Sequence, residues 1–220
     1  MKLTQECYDV LQHCSKFNDH LVVERGDQIA SLNKDRNRLM VATIQTSMEP
    51  FALHDLKNFL KQLSLFNEPD LTFTDTDIII QDNEARSTYR QSNKEDLCYL
   101  DKTLRPLDTE HRFNLPRTAL DKIIRASAAN QTEDILLCSR DNKLYIEALN
   151  KDKPTRVFSV SLHQQSDHDF EIYLKHSRKN KLNLLLLDYD VIVSKSGIVI
   201  FKSVPKDEEI NVTFYVASER

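Results

Sequence analysis

The order helix, strands, helix, strands is written twice along this chain, and that recurrence leaves few architectures open. Leu3, Cys7, Val10, Leu11, Cys14 and Phe17 stand three and four apart, which predicts an amphipathic helix with Thr4 as its cap. Strand-like runs follow at Leu21 to Val23, Gln28 to Leu32 and Leu39 to Thr46. Arg25-Gly26-Asp27 and Asn33-Lys34-Asp35 supply turn chemistry between them. A second helix is expected from about Leu53, with Leu56, Phe59, Leu60 and Leu63 on one face, before strands near Leu71 to Thr74, Ile78 to Gln81 and Ala85 to Tyr89. The order then restarts. Pro116 suits a first helical turn, and Leu120, Ile123, Ile124 and Ser127 form a third stripe. Strands are expected at Asp134 to Ser139, Lys143 to Ala148, Arg156 to Leu162 and Phe170 to Tyr173. A short fourth helix follows around Leu174 to Lys181, and last come strands at Leu182 to Leu187, Val191 to Ser194, Ile198 to Phe201 and Ile210 to Ala217. The halves share element order without evident residue identity. The expected class is α+β, with helices on one face of an antiparallel sheet in each of two domains, 1–92 and 112–220. The polar stretch 93–111, which contains Pro106, is the expected connection.

Composition removes several function classes. The 220 residues include two glycines, Gly26 and Gly197, where average usage of about 7% would give roughly fifteen. Phosphate-cradling loops need several glycines so that backbone N–H groups can approach the anion, and neither common nucleotide-loop pattern can be written here. The four cysteines, Cys7, Cys14, Cys98 and Cys138, form no C-x-x-C pair, so they are expected to be reduced, small and hydrophobic in role. The longest apolar run is Leu184 to Leu187, far short of a membrane span. Met1-Lys2-Leu3-Thr4, followed by Glu6 and Asp9, lacks the apolar stretch of a signal peptide, so an intracellular protein is expected.

The net charge of −4 is unevenly spread. The four expected helices, taken as 2–18, 53–65, 115–130 and 173–182, carry 0, +1, +2 and +4, which leaves strands and loops at −11. At about 100° per residue, Lys16, Lys61, Lys122 and Arg125 fall roughly 150° from their apolar stripes and point away from the sheets. Basic helices on an otherwise acidic body form a suitable footprint for a polyanion.

Other constellations carry less. His163-Gln164-Gln165-Ser166-Asp167-His168-Asp169 has metal-ligand residue types without a metal-ligand spacing, and is expected to be a solvated loop. Asp75 with Asp77, and Asp188 with Asp190, each share a strand face, but a two-metal nuclease needs three or four converging acids. Turn-flanking roles are expected for these aspartates. No metal, cofactor or catalytic residue is expected.

One stretch is specific. His54-Asp55-Leu56-Lys57-Asn58-Phe59-Leu60-Lys61-Gln62-Leu63-Ser64-Leu65, followed by Asp82-Asn83-Glu84-Ala85-Arg86-Ser87-Thr88, resembles the DNA polymerase sliding clamps of T-even-type tailed phages. Those clamps carry a D-L-x-x-F-L-x-x-L-S-L helix and an A-R-S-T strand at about this separation. Met1-Lys2-Leu3, the Ile123 to Ala126 region and the closing strands through Val216-Ala217 resemble the family too.

The resemblance implies a non-catalytic processivity factor: two clamp domains per chain, helices lining a pore, antiparallel sheets outside, and a ring-shaped homotrimer around duplex DNA. It implies the replicative polymerase and an ATP-driven clamp loader as partners, late transcription factors as further ones, and the host cell cytoplasm as location, with no membrane. On this reading the DNA-facing cations are Lys16, Lys57, Lys61, Arg117, Lys122, Arg125, Lys175, Arg178, Lys179 and Lys181. Ring closure would pair edge strands, with Arg86 and Thr88 on one and Phe158 and Val160 on the other. Leu97, Tyr99, Leu104 and Leu107 in the connection are the candidates for a partner-peptide pocket. The competing reading is a phage structural or adaptor protein of α+β build, whose basic fourth helix contacts another protein.

Overall fold

The computed structural model describes residues 1–100, 104, 106–177, 180–205 and 210–219, and among them are three α-helices and fifteen strands. The chain divides into two compact units. The first comprises Met1–Leu104 with Glu208–Val212, and the second Arg105–Asp207 with Thr213–Arg220.

In the first unit, α1 (Gln5–Cys14) begins at Thr4, whose Oγ1 accepts the Cys7 N–H at 3.2 Å. Its stripe of Cys7, Val10, Leu11 and Cys14 is buried where the helix packs on β2 (Gly26–Leu32), β3 (Arg38–Met48) and α2 (Leu56–Leu63). Burial pushes the Cys14 thiol up to about 12, so it stays protonated and packs as a small hydrophobe. β1 (Leu21–Val23) pairs antiparallel with β4 (Phe51–Leu53), and β2 with β3. β5 (Asp70–Phe73), β6 (Asp77–Gln81) and β7 (Arg86–Arg90) form an antiparallel meander. Leu53, expected to open the second helix, instead closes β4. A three-residue strand buried at every position has no alternation by which it could be read.

In the second unit, β8 (Thr109–Leu115) leads into α3 (Arg117–Asn130), followed by β9 (Asp134–Arg140), β10 (Lys143–Leu149), β11 (Phe158–Gln165) and β12 (Phe170–Lys175). The last four form a sheet in the order β11-β10-β9-β12. Its register sets Ile135 opposite Ala148 and Leu137 opposite Ile146, giving an apolar face for α3, which lies against β10 and β11 and buries Leu120 and Ile123. The opposite face buries Leu136, Cys138 and Leu149 under Tyr145 and Tyr173, beside a bidentate Arg140–Glu147 pair at 2.9 and 3.1 Å. β13 (Tyr189–Ser194), β14 (Ile198–Ser203) and β15 (Asn211–Ala217) from Thr213 onward complete the unit, with β8, β13, β14 and β15 side by side in that order.

Further expectations need correction, and one of them is the loop at 163–169, whose first three residues instead close β11. The fourth helix is not formed: β12 pairs with β9 through Lys175, opposite Asp134, and this ladder takes up the residues at which the helix would begin. The described residues after it, 176–177 and 180–187, are neither helix nor strand, so the expected strand at Leu182 to Leu187 is absent too. Its leucines make a tight turn instead, with the Leu187 N–H and the Tyr189 hydroxyl both donating to the Leu185 carbonyl. Finally, 109–111, placed in the connection by their polarity, belong to β8, whose inward residues are Phe113 and Leu115.

Glycine scarcity shows in the turns. Asp141 (φ 50°) and Asn142 (φ 58°) make the β9–β10 turn, and Gln131 (φ 54°) ends α3, all in the left-handed region usually left to glycine. Gly197, at φ 81°, serves the β13–β14 turn. Among the described residues no helix is long and apolar enough to cross a membrane.

Candidate nucleic-acid interface

The helical period places the cations. On α2, Leu56, Phe59, Leu60 and Leu63 turn inward, leaving Lys57 and Lys61 exposed one turn apart. On α3, Ala119, Leu120, Ile123 and Ser127 are buried, while Arg117, Lys122 and Arg125 are exposed. α1 contributes acids, Glu6 and Asp9, with Lys16 beyond its end. The three helices therefore carry a net +2, not the +7 expected with a fourth, and the basic character sits on α2 and α3.

The expected cations fall into different states. Lys61, Arg117 and Lys122 make no ion pair among the described residues, whereas Arg125 meets Asp121 at 3.6 Å, one turn back. Lys57 meets Asp19 at 2.8 Å. Lys175 lies on a strand, with its ammonium between Asp134 (3.1 Å) and Glu133 (3.6 Å). Burial, the largest single influence, lowers its pKa, but the Asp134 hydrogen bond together with the charges of Asp134, Glu219 and Glu133 raises it overall. Lys16 and Lys181 are exposed. Arg178 and Lys179 lie outside the described residues.

A further cation was not foreseen. Lys34, in the β2–β3 turn, reaches Asp19 Oδ2 at 2.8 Å while Lys57 reaches Oδ1 at 2.8 Å, so one carboxylate joins two ammonium groups from distant parts of the sequence. Hydrogen bonds from Lys34 and Lys57 hold the Asp19 carboxyl down at about 2. The Asp19 carbonyl also accepts the Leu56 N–H at 2.6 Å, at the start of α2. Nothing in a sequence pattern announces such a meeting, because the lysines are 23 positions apart.

The two candidate pairing strands are sheet edges. In the β5-β6-β7 sheet, β5 is covered on its outer side by the chain start: Lys2 bridges Asp70, and the Leu71 N–H donates to the Met1 carbonyl at 2.7 Å. In the β11-β10-β9-β12 sheet, β12 is covered where the Glu219 N–H donates to the Tyr173 carbonyl at 2.9 Å. The opposite ends, β7 and β11, carry no backbone bridge of this kind among the described residues, although near the end of β11 the Gln164 side chain accepts the Asn114 N–H at 2.9 Å and donates to the Asn114 carbonyl at 2.6 Å. Arg86, Thr88 and Phe158 are exposed on them, and Val160 is half-buried.

Leu97, Tyr99 and Leu107 are half-buried and Leu104 is exposed. A groove of about 460 Å³ in the first unit is lined by other residues, including Val22, Phe51, Asp75, Arg90 and Lys94, and by none of those four. The connection is tied down instead at Cys98, whose carbonyl oxygen and amide nitrogen lie 2.9 and 3.1 Å from His20 Nε2.

Four of the acids weighed as metal or nuclease candidates have structural partners. Asp188 accepts the Arg117 N–H at 2.7 Å, at the start of α3, and Asp190 holds Arg112 in a bidentate pair at 2.9 and 2.7 Å. Asp77 pairs with Arg90, and Asp169 braces the β9–β10 turn by accepting from Ser139 and the Asn142 N–H. Among the described residues no three His, Cys, Asp or Glu side chains converge as a metal set.

Two α+β units of antiparallel sheet with outward-facing helical cations define a class, and the fold is that of the sliding clamps. The structure matches the DNA polymerase III subunit beta of Pseudomonas aeruginosa with a TM-score of 0.69 at 15% identity, over 98% of this chain and 63% of that one. It matches the proliferating cellular nuclear antigen of Entamoeba histolytica with a TM-score of 0.68 at 13% identity, over 97% and 94%. The chain thus spans a little under two thirds of the bacterial subunit and nearly all of the amoebal one. In sequence it is similar to the sliding clamp of Vibrio phage KVP40, 24% identical over 228 residues that take in 100% of this chain and 99% of the relative. It is also similar to the sliding clamp of Escherichia phage RB69, 23% identical over 154 residues, 69% of this chain and 68% of that one. The resemblance to T-even-type phage clamps therefore extends along the whole chain. No family model matches it.

Proposed function

We propose that this chain is a sliding clamp: it encircles duplex DNA as a ring of three copies and tethers the replicative polymerase, raising processivity. The observation that carries this reading is the similarity to a phage sliding clamp over the full length of both chains. Two clamp domains, matching the two compact units, are the building unit. The uncovered edges of β7 and β11, one in each unit, support closure by head-to-tail strand pairing between copies.

Sliding asks for contacts without sequence information. Base-edge hydrogen bonds would pin a ring at one site, whereas phosphate contacts exchange along the duplex at nearly constant energy. Lys57 and Lys61 on α2, and Arg117, Lys122 and Arg125 on α3, are suited to such contacts. Binding of this kind is weak and salt-dependent, so retention comes from topology. With no phosphate loop in the sequence, the chain does not hydrolyse nucleotide itself; an ATP-driven loader opens and closes the ring. The ring would also serve late viral transcription, in the host cell cytoplasm.

The test is retention. Incubated with the loader and ATP, the protein should stay on nicked circular DNA through gel filtration and fall off when the circle is cut. Equal retention on both forms, or retention on neither, would overturn the clamp reading in favour of an adaptor protein.

A further inference from the structure

Asp19 stands between the two lysines that flank the start of α2, and its position is fixed from several sides. Its carbonyl holds the Leu56 N–H, Asn18 Nδ2 before it donates to the Leu32 carbonyl at 2.8 Å, and His20 after it contacts the Cys98 peptide. The carboxylate therefore cannot drift far from Lys34 and Lys57. Yet all three side chains are open to water, with exposures of 48% for Asp19, 67% for Lys34 and 56% for Lys57. Exposed ion pairs contribute little to folding, so another anion of the same geometry can replace the carboxylate. A phosphate oxygen is such an anion, since it accepts an ammonium N–H at the same distance.

We propose that Asp19 is a built-in counter-ion that competes with DNA phosphate for Lys34 and Lys57 and thereby sets how firmly the first unit grips the duplex. This rests on the reading of the α2 face as DNA-facing, and it adds Lys34 to that face. As each phosphate passes, a lysine trades carboxylate for phosphate and back again. Neither state leaves the ammonium unpaired, so the step from one phosphate to the next stays shallow. The carboxyl stays ionised down to about pH 2, so the competitor is present at every pH that DNA tolerates.

A purely structural staple and a counter-ion predict opposite signs. If Asp19 only positions Lys57, its loss should weaken DNA binding or leave it unchanged; if it competes, its loss should strengthen binding. The measurement is fluorescence anisotropy of a labelled duplex of about 30 base pairs titrated with the full chain between about 50 and 200 mM salt. Asp19→Asn should bind about three- to tenfold tighter at the lower salt, with a log–log salt slope steeper by about one to two, as one or two more lysines release counter-ions. Asp35→Asn removes the same charge from the turn that carries Lys34, where it makes no ion pair with either lysine among the described residues, and should change affinity less than about twofold. Adding Lys57→Gln to Asp19→Asn should erase most of the gain, closing a double-mutant cycle. Asp19→Ser, which keeps the backbone contact to Leu56, guards against a folding defect, and melting curves should confirm an intact fold. An Asp19→Asn affinity equal to or weaker than that of Asp35→Asn would overturn the proposal alone. If Lys34→Gln and Lys57→Gln also leave binding by the parent unchanged, the DNA-facing reading of α2 falls with it.

Discussion

At Gly197 the absence of a side chain decides whether the β13–β14 turn can form. Its φ is 81°, and a Cβ added there would stand 3.0 Å from Ser218 Oγ. Gly197→Ala should therefore cost about 1–2 kcal/mol for the left-handed backbone, with crowding in addition, and lower the melting temperature without changing the circular dichroism at room temperature. His111 supplies a pH-dependent term. Its ring stacks on Phe170 with centroids 4.1 Å apart, and burial lowers its pKa; nearby Glu110 pulls it upward and His168 downward, but burial prevails. A histidine whose folded pKa lies below its unfolded value of about 6.5 contributes fully above that value, and the contribution is lost as pH falls through the folded pKa. Melting temperature should drop more steeply between about pH 7 and 5 in the parent than in His111→Phe. Equal slopes would show that this ring does not titrate within the fold.

At the scale of elements, the outward cations of α2 and α3 should be separable from folding. Lys61→Glu with Lys122→Glu changes exposed residues that form no ion pair among the described ones, and should alter stability by less than about 0.5 kcal/mol. It should sharply reduce retention on circular DNA and processive synthesis, and the defect should deepen as salt is lowered and Glu–phosphate repulsion is less screened. Full activity of the double variant would remove these helices from the DNA path. These two helices were legible because each carries an apolar stripe at spacings of three and four that ends in burial, as at Leu56, Phe59, Leu60 and Leu63. The failures share one cause. β4 is too short to alternate, β8 shows only Phe113 and Leu115 to the core, and the run from Leu174 to Lys181, with one apolar residue and no stripe, begins in a ladder with β9. In each, a partner strand distant in sequence decides the backbone, and a local pattern does not contain the partner. The Asp19 meeting with Lys34 and Lys57 was hidden for the same reason, while the two strands expected at sheet edges, β7 and β11, do end their sheets.

For the whole molecule, the proposed assembly has a mass three times the 25.6 kDa of one chain, and light scattering at micromolar concentration should report it. Phe158→Glu places a charge at the start of the β11 edge, on a side chain already 39% exposed, so the chain should stay folded while the mass falls toward that of the monomer. A stable dimer in the parent, or an unchanged mass in the variant, would contradict pairing through β11. The separate location of the two uncovered edges, β7 in the first unit and β11 in the second, has a further result. A contact between unlike surfaces cannot be turned over and remain the same contact. Copies joined this way all point in one rotational sense, so the closed assembly has a front and a back that no symmetry operation exchanges. Threaded on a duplex, such an object carries direction: an enzyme that recognises one side is aimed toward one end of the DNA before it makes any contact with the template.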